Sequence, residues 1–259
     1  MMDATAGPRL ACVQSGSPRA RAAYEDLATR YRLVPVDDCD AIVALGGDGF
    51  LLDTMHAYLA HGRPIFGMNR GTVGFLMNAY SSDALIERVA AAKQIGIHPL
   101  AMAAAMPDGR VKRALAFNEV SATRHAGQTV NLRITVDGIE RLAAYAGDGV
   151  IIATAAGSTA YNLSAHGPII PIGSNLLALT PVSPFRPRRW RGALLPDTAE
   201  IVIQNLDPAK RPLAATADKV EFVHVHSVTV REDPSVVITL LFDPNHTLEE
   251  RIIAEQFAV

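Results

Sequence analysis

The chain has 259 residues, of which 49% are hydrophobic and 19% charged, an ordinary globular composition that excludes a disordered chain and has room for one large domain or two small ones. Its 24 basic and 26 acidic residues leave a formal charge of −2, without the basic excess that a general nucleic-acid or polyanion binder needs. Two cysteines, Cys12 and Cys39, make neither a disulfide framework nor a four-ligand zinc site. With no signal-like apolar core and no apolar run near about 18 residues, a soluble cytoplasmic protein without a membrane span is expected.

The first part of the chain alternates short apolar runs with helical patterns. Residues 9–13 read as a strand. Residues 18–31 read as a helix, because Ala20, Ala23, Tyr24, Leu27, Ala28 and Tyr31 follow the i, i+3, i+4, i+7 spacing. A strand at 41–45, a helix at 50–60 carrying Leu52, Met55 and Leu59, a strand at 64–68 and a helix at 81–92 opened by Ser81 and Asp83 follow. This alternation predicts βαβ units in a Rossmann-like α/β domain with a parallel sheet.

After Lys93 the texture changes. The turn pairs Asp108-Gly109, Asp137-Gly138 and Asp148-Gly149 separate strand-like runs at 111–117, 131–136 and 150–154. Asp137-Gly138 suits a tight hairpin. Runs at 201–204, 220–224, 228–231 and 236–242 continue the pattern, so this half is expected to be an all-β sandwich. A last helix is expected over 248–257, with Thr247 and Glu250 as its capping box. The boundary falls within 91–98: residues 1–93 form the α/β domain, joined by a C-terminal helix within 247–259, and residues 94–246 the sandwich.

Four segments can carry chemistry. Gly46-Gly47-Asp48-Gly49 lies between a strand and a helix, where outward N–H groups and the helix dipole favour an anion. It is neither a Walker A loop nor a Gly-x-Gly-x-x-Gly turn. A carboxylate in such a turn repels phosphate, so Asp48 either binds Mg²⁺ or takes a proton from an attacking hydroxyl; a plain tight turn accounts for it equally well. The second segment, Asn69-Arg70-Gly71-Thr72-Val73-Gly74-Phe75-Leu76, follows the next strand of the same sheet, and its Arg70 suits a phosphate or plain solvent. Third, Asn118-Glu119 breaks an apolar run with groups able to bond ribose hydroxyls or a base edge, or merely to solvate a strand end. The fourth runs from Asp148-Gly149 through Thr154-Ala155-Ala156-Gly157-Ser158-Thr159-Ala160-Tyr161-Asn162-Leu163-Ser164. Its small residues admit a flat ligand to the backbone, and its hydroxyls and N–H groups supply polar contacts.

Together these segments resemble the NAD kinase family, in the family's order, from about residue 40 to the C-terminus. Thr180-Pro181-Val182-Ser183-Pro184 is a further family-like segment, and several wordings are most similar to alphaproteobacterial members. The resemblance implies an ATP-dependent NAD kinase that moves a phosphoryl group from ATP or polyphosphate to the 2′-hydroxyl of the adenosine ribose of NAD. It implies a two-domain fold with a dinucleotide-binding sandwich, a divalent cation such as Mg²⁺ brought with the donor, no metal-ligating residue of its own, and a homodimer or homotetramer. It assigns Asp48 as catalytic base and Gly46, Gly47 and Gly49 as the phosphate-donor loop. The NAD site it assigns is Asp48, Gly49, Phe75, Asn118, Glu119, Asp148, Ala156, Thr159, Ala160, Tyr161, Asn162, Leu163 and Ser164.

This chain departs from the family at Phe50, where Thr is frequent, at Ala155-Ala156 in place of Pro-Thr, at Val73 and at His166. Asp218 falls near a family segment that touches substrate, although Ala217-Asp218-Lys219 departs from its pattern. Arg186, Arg188, Arg189 and Arg191 form a basic cluster suited to a structural or interface role, and His224 and His226 are spaced to share a strand face. Two rival readings are a lipid kinase of the diacylglycerol-kinase type, which shares the Gly-Gly-Asp-Gly turn, and a catalytically silent NAD(P)-binding sensor. The Gly-Ser-Thr-Ala-Tyr block and Asn118-Glu119 speak against the first, and Asp48 against the second.

Overall fold

The computed structural model describes residues 7–72 and 74–244. The expected helix within 247–259 with its capping box, and Val73, lie outside the described residues. The chain divides into two compact units, one taking the chain through Ile97 together with the segment from Val237, the other His98–Val236.

The first unit contains β1 (Leu10–Gln14), α1 (Pro18–Arg30), β2 (Ala41–Gly46), α2 (Asp48–Tyr58), β3 (Ile65–Asn69), α3 (Leu85–Ala90) and β4 (Lys93–Ile97). Its sheet has the order β1, β2, β3, Ile238–Phe242, β4; the first four strands are parallel and β4 is antiparallel. Helix α1 starts at Pro18 behind Ser17, whose Oγ accepts the Ala20 N–H at 3.2 Å. Its stripe of Ala20, Ala23 and Leu27 packs with Leu10, Val43, Leu45 and Phe66 of the sheet. Strand β2 is buried at every position, as a central parallel strand covered on both faces must be.

Two expectations are corrected here. The run at 236–242, expected to continue the all-β half, instead forms Ile238–Phe242 in the parallel sheet of the first unit. Ile238, Leu240, Leu241 and Phe242 are all buried, the near-continuous pattern of an internal strand rather than an alternating one. The helix expected over 81–92 shrinks to α3, which begins after Ala84 in the left-handed region (φ 51°) without a side-chain cap. The Ser81 carbonyl accepts from the Arg88 guanidinium at 2.9 Å, and the Leu85 N–H donates to the Tyr31 hydroxyl at 3.1 Å. An earlier helix start would need these two groups for each other. Arg88 also grips both oxygens of Asp243, at 3.0 and 2.6 Å, a bidentate pair that ties α3 to the end of the returning strand.

Asn78 makes a second tie. It is fully buried; its Nδ2 donates to the carbonyls of Gly67 (3.0 Å) and Leu241 (2.9 Å), and its Oδ1 accepts the Asp243 N–H (2.9 Å). Its own backbone bridges to Met68 of β3.

The second unit contains β5 (Leu100–Ala105), β6 (Val111–Ala116), β7 (Glu119–Arg124), β8 (Val130–Val136), β9 (Ile139–Gly147), β10 (Gly149–Ala153), α4 (Tyr161–Ser164), β11 (Leu176–Val182), β12 (Ala193–Pro196), β13 (Ile201–Asn205), β14 (Leu213–Ala217), β15 (Val220–Val225) and β16 (Ser227–Glu232). They form two six-stranded sheets, β12-β11-β10-β7-β14-β15 and β6-β5-β16-β13-β8-β9. One core draws Val120, Val150 and Leu179 from the first sheet and Met102, Ile134 and Val228 from the second, so the unit is an all-β sandwich. The β8–β9 hairpin turns through Asp137 (φ 51°) and Gly138 (φ 74°), both left-handed as a type I′ turn requires. Asp148-Gly149 is not such a turn, because β9 and β10 belong to different sheets. Gly149 (φ 154°) passes so close to the Ala122 carbonyl that a Cβ there would collide with it.

Asn78→Ala leaves buried carbonyls without their donor. It is expected to lower the unfolding free energy by about 3 kcal/mol, read as a reduced denaturant midpoint at unchanged slope.

Candidate active site

In the first unit β2 runs directly into α2. Gly46 ends the strand, Gly47 is the extended N-cap, and Asp48 is the first helical residue. The loop after β3 folds back alongside. The Arg70 N–H donates to the Gly46 carbonyl at 2.6 Å, and a Cβ on Gly71 would lie 3.3 Å from the Gly47 Cα. Two glycine-rich loops thus lie together at the carboxyl ends of adjacent parallel strands, the place where open α/β sheets bind ligands.

The Asp48 carboxylate joins the loops. Its Oδ2 accepts the Phe75 N–H at 2.8 Å and its Oδ1 the Leu76 N–H at 3.1 Å. These two bonds orient the carboxylate across the two loops. Phe75 therefore meets Asp48 through its backbone. Gly49 is exposed at the first turn of α2, where N–H groups and the helix dipole favour an anion. Phe50 turns back over Gly46, where a Cβ would run into its side chain at 2.6–2.8 Å. Arg70 does not reach outward; its Nε donates to the Arg19 carbonyl at 3.2 Å and its guanidinium lies 4.3 Å over the Tyr80 ring.

In the second unit β10 pairs with β7 so that Ala153 faces Glu119. The chain then passes through Thr154 into a 3₁₀ turn, Ala156–Thr159, and α4. Thr154 holds the preceding polar pair from one side: its Oγ1 donates to the Phe117 carbonyl at 2.7 Å, and its N–H donates to the Asn118 carbonyl at 2.9 Å. Gly157 lies flat against the Asn118 backbone, with no room for a Cβ. Ala156 is buried and shapes the turn, whereas Thr159, Ala160 and Leu163 are half-buried and Tyr161 and Ser164 exposed. Asn162 is fully buried and engaged within the fold: its Nδ2 donates to the Ser158 carbonyl (3.0 Å) and the Pro168 carbonyl (2.9 Å), and its Oδ1 accepts from Thr180 Oγ1 (2.6 Å).

Glu119 is the unusual group. The Tyr161 N–H bonds to its carboxylate, yet its Oε2 is buried with no hydrogen-bond partner. Burial, and next the charge of Asp218, push its carboxyl up to about 7 against the opposing effect of the Tyr161 N–H. An orphaned buried oxygen is an acceptor in want of a ligand donor. Asp148, at the step between the two sheets, pairs with Arg124 Nε at 2.7 Å.

Sequence reasoning missed Arg124, and it left Asp218 a poor match. The Asp218 carboxylate accepts backbone N–H groups of Phe117, Asn118 and Glu119. Its one legible signal was an Asp in a short turn between strand-like runs. His224 and His226 do not share a strand face: β15 bulges at His224 (φ 59°), which meets His125 edge-on at 5.4 Å. Of the basic cluster, Arg186 and Arg188 lie 5.5 and 5.2 Å over the Phe185 ring, and no carboxylate among the described residues pairs with the four arginines. The described residues also contain no group of three or more His, Cys, Asp or Glu able to hold a metal, and no helix long and apolar enough to cross a membrane.

Residues 10–94 match the model of the ATP-NAD kinase N-terminal domain, and residues 117–231 that of the ATP-NAD kinase C-terminal domain. The chain is 55% identical to an NAD kinase of Mesorhizobium japonicum over 253 residues, 98% of each chain, and 53% identical to one of Caulobacter vibrioides over 250 residues, 96% of each. In fold it is similar to a yeast NADH kinase solved with NADH (TM-score 0.80, 21% identity, 97% of this chain and 88% of that one). It is likewise similar to an NAD kinase from Archaeoglobus fulgidus solved with ATP (TM-score 0.73, 23% identity, 95% and 98%). The chain belongs to the NAD kinase family.

Proposed function

We propose that this protein phosphorylates NAD at the 2′-hydroxyl of its adenosine ribose with ATP, releasing NADP and ADP. The observation that carries the reading is Asp48. A turn built only to hold phosphate gains nothing from a carboxylate, whereas transfer to a hydroxyl needs a proton acceptor. The hydroxyl oxygen bonds to the γ-phosphorus as the bond to the β,γ-bridging oxygen breaks; the hydroxyl proton passes to Asp48 and ADP leaves. Gly47 and Gly49 offer the donor phosphates backbone N–H groups and close approach, while Gly46, buried at the end of β2 beneath Phe50, shapes the turn. Asn118, Glu119, Asp148 and the Ala156–Ser164 turn hold the dinucleotide, with the orphaned Oε2 of Glu119 accepting from a ribose hydroxyl. Polyphosphate fits the same glycine turn as an alternative donor. The family's habit supports a cytoplasmic homodimer or homotetramer.

Among the described residues no group of three or more His, Cys, Asp or Glu could hold a metal. The one carboxylate of the glycine turn, Asp48, suits a Mg²⁺ ion brought with the donor phosphates. When bound, such an ion neutralises charge on the phosphates.

Asp48→Asn is expected to retain NAD binding by calorimetry while NADP formation falls by about 10²–10⁴-fold; an unchanged turnover would remove Asp48 from the mechanism. Chelation of divalent cations is expected to abolish NADP formation and to leave the melting temperature unmoved, since the ion is not part of the fold. Glu119 generates two pH effects. A ligand hydroxyl favours its ionised form, so NAD binding is expected to strengthen as pH rises through about 7. Because its folded-state pKa is raised, ionisation opposes folding: the penalty is absent below about 4.5, grows toward about 7 and is complete above it. Glu119→Gln is therefore expected to raise the melting temperature at pH about 8, to leave it nearly unchanged at pH about 4, and to weaken NAD binding.

A further inference from the structure

We propose that Asp218 is a positioning residue of the dinucleotide site, its carboxylate holding the Phe117-Asn118-Glu119 backbone in the one arrangement that presents Asn118 and Glu119 to the ligand. The proposal rests on the reading of those two residues as dinucleotide contacts. Asp218 occupies the two-residue turn between β14, which ends at Ala217, and β15, which begins at Val220. Its backbone is left-handed (φ 49°), a region that residues other than glycine enter at a cost.

That conformation aims the side chain at the start of β7. Oδ2 accepts the Phe117 N–H at 2.8 Å, and Oδ1 accepts the N–H groups of Asn118 at 3.0 Å and Glu119 at 3.2 Å. The Asp218 N–H in turn donates to the Glu119 carbonyl at 3.1 Å. Successive N–H groups converging on a point form an anion nest, and here the anion is the protein's own carboxylate. Thr154 holds the same peptides from the other side by the carbonyls of Phe117 and Asn118. With the amides held by one side chain and the carbonyls by another, only the side chains of Asn118 and Glu119 keep freedom, and one oxygen of Glu119 waits without a partner. A polar site arranged before the ligand arrives loses less on binding it.

The same carboxylate places a negative charge against Glu119. The groups acting on Glu119 are Asp218 from the β14–β15 turn and the Tyr161 N–H from α4, while Ala153 across the β10 pairing carries no charge. Burial raises the pH at which Glu119 ionises, and Asp218 raises it further.

Asp218→Asn exchanges one accepting oxygen for an amide group that opposes the incoming N–H donors. It is expected to lower kcat/KM for NAD by about 10- to 100-fold, mostly through KM. It should speed amide hydrogen exchange at residues 117–119, and lower the midpoint of the pH dependence of NAD binding relative to the unsubstituted protein, because one of the causes raising the Glu119 carboxyl is removed. A turn that only stabilised the fold would not move that midpoint. Asp218→Glu keeps the charge but displaces the oxygens, so NAD binding should weaken with the midpoint still raised. Unchanged KM, exchange and midpoint in Asp218→Asn would overturn the proposal. If that variant does not fold, Asp218→Glu decides: weakened NAD binding supports the proposal and native binding overturns it. Asn118→Ala and Glu119→Gln distinguish the two readings. If neither raises KM for NAD, the assignment of the dinucleotide site fails; if both do and the Asp218 variants do not, the positioning role alone fails.

Discussion

In both units a single carboxylate accepts the backbone N–H groups of a neighbouring loop, and the shape of each candidate site follows from it. Asp48 takes the amides of Phe75 and Leu76; Asp218 takes those of Phe117, Asn118 and Glu119. The reason is general. A loop leaving the end of a strand has no ladder to satisfy its amides, and a site for ribose and phosphate must stay polar and open, so apolar burial cannot stiffen it. Charge-assisted hydrogen bonds can, because each is short, directional and about twice as strong as a neutral one. Thr154 and Asn78 extend the device with neutral side chains that hold main-chain groups of segments distant in sequence, and Asn162 holds those of its own turn.

Glycines have the complementary task of allowing approach. Gly157 on the Asn118 backbone and Gly149 on the Ala122 carbonyl are places where two main chains come closer than a Cβ permits, and Gly71 on Gly47 is a tight approach. The price of this open polar architecture appears at Glu119, a half-buried carboxyl whose ionisation the fold opposes. A structural residue with that environment would be replaced at no loss by an apolar one; a ligand contact would not, since its unmet hydrogen bond is completed by the ligand.

The legible parts of the fold were those dictated by short stretches of chain. The spacing of Ala20, Ala23 and Leu27 specifies α1, and Asp137-Gly138 specifies a hairpin, because each rests on neighbours within a few residues. The glycine turn around Asp48 and the small-residue turn before α4 were likewise visible as composition. What was not legible depends on distant partners. Nothing within Ile238–Phe242 says that it inserts between β3 and β4, since an apolar run fits any buried strand. The short α3 is set by Arg88 reaching Asp243 and by the Tyr31 hydroxyl taking the Leu85 amide, contacts about 155 and 54 residues away in sequence. Asp218 is the same case within the site: about 100 residues separate it from the amides it holds, and locally it is only a turn residue.

Charge bears on how such a protein holds phosphate at all. With a net charge of −2 the chain gains no general attraction for anions. Arg70 of the second glycine loop is engaged with Tyr80 and the Arg19 carbonyl, Arg88 with Asp243, and Arg124 with Asp148. On the function proposed above, recognition of the donor phosphates falls to amides at the start of α2 and to the cation that travels with them. An arrangement of this kind discriminates by geometry rather than by charge. A guanidinium cluster attracts any polyanion at long range, whereas N–H groups at a helix start act only on a phosphate brought within hydrogen-bond distance. In that reading Asp48 would strengthen the discrimination, because its charge repels a bare phosphate and tolerates one whose charge a divalent ion has already offset.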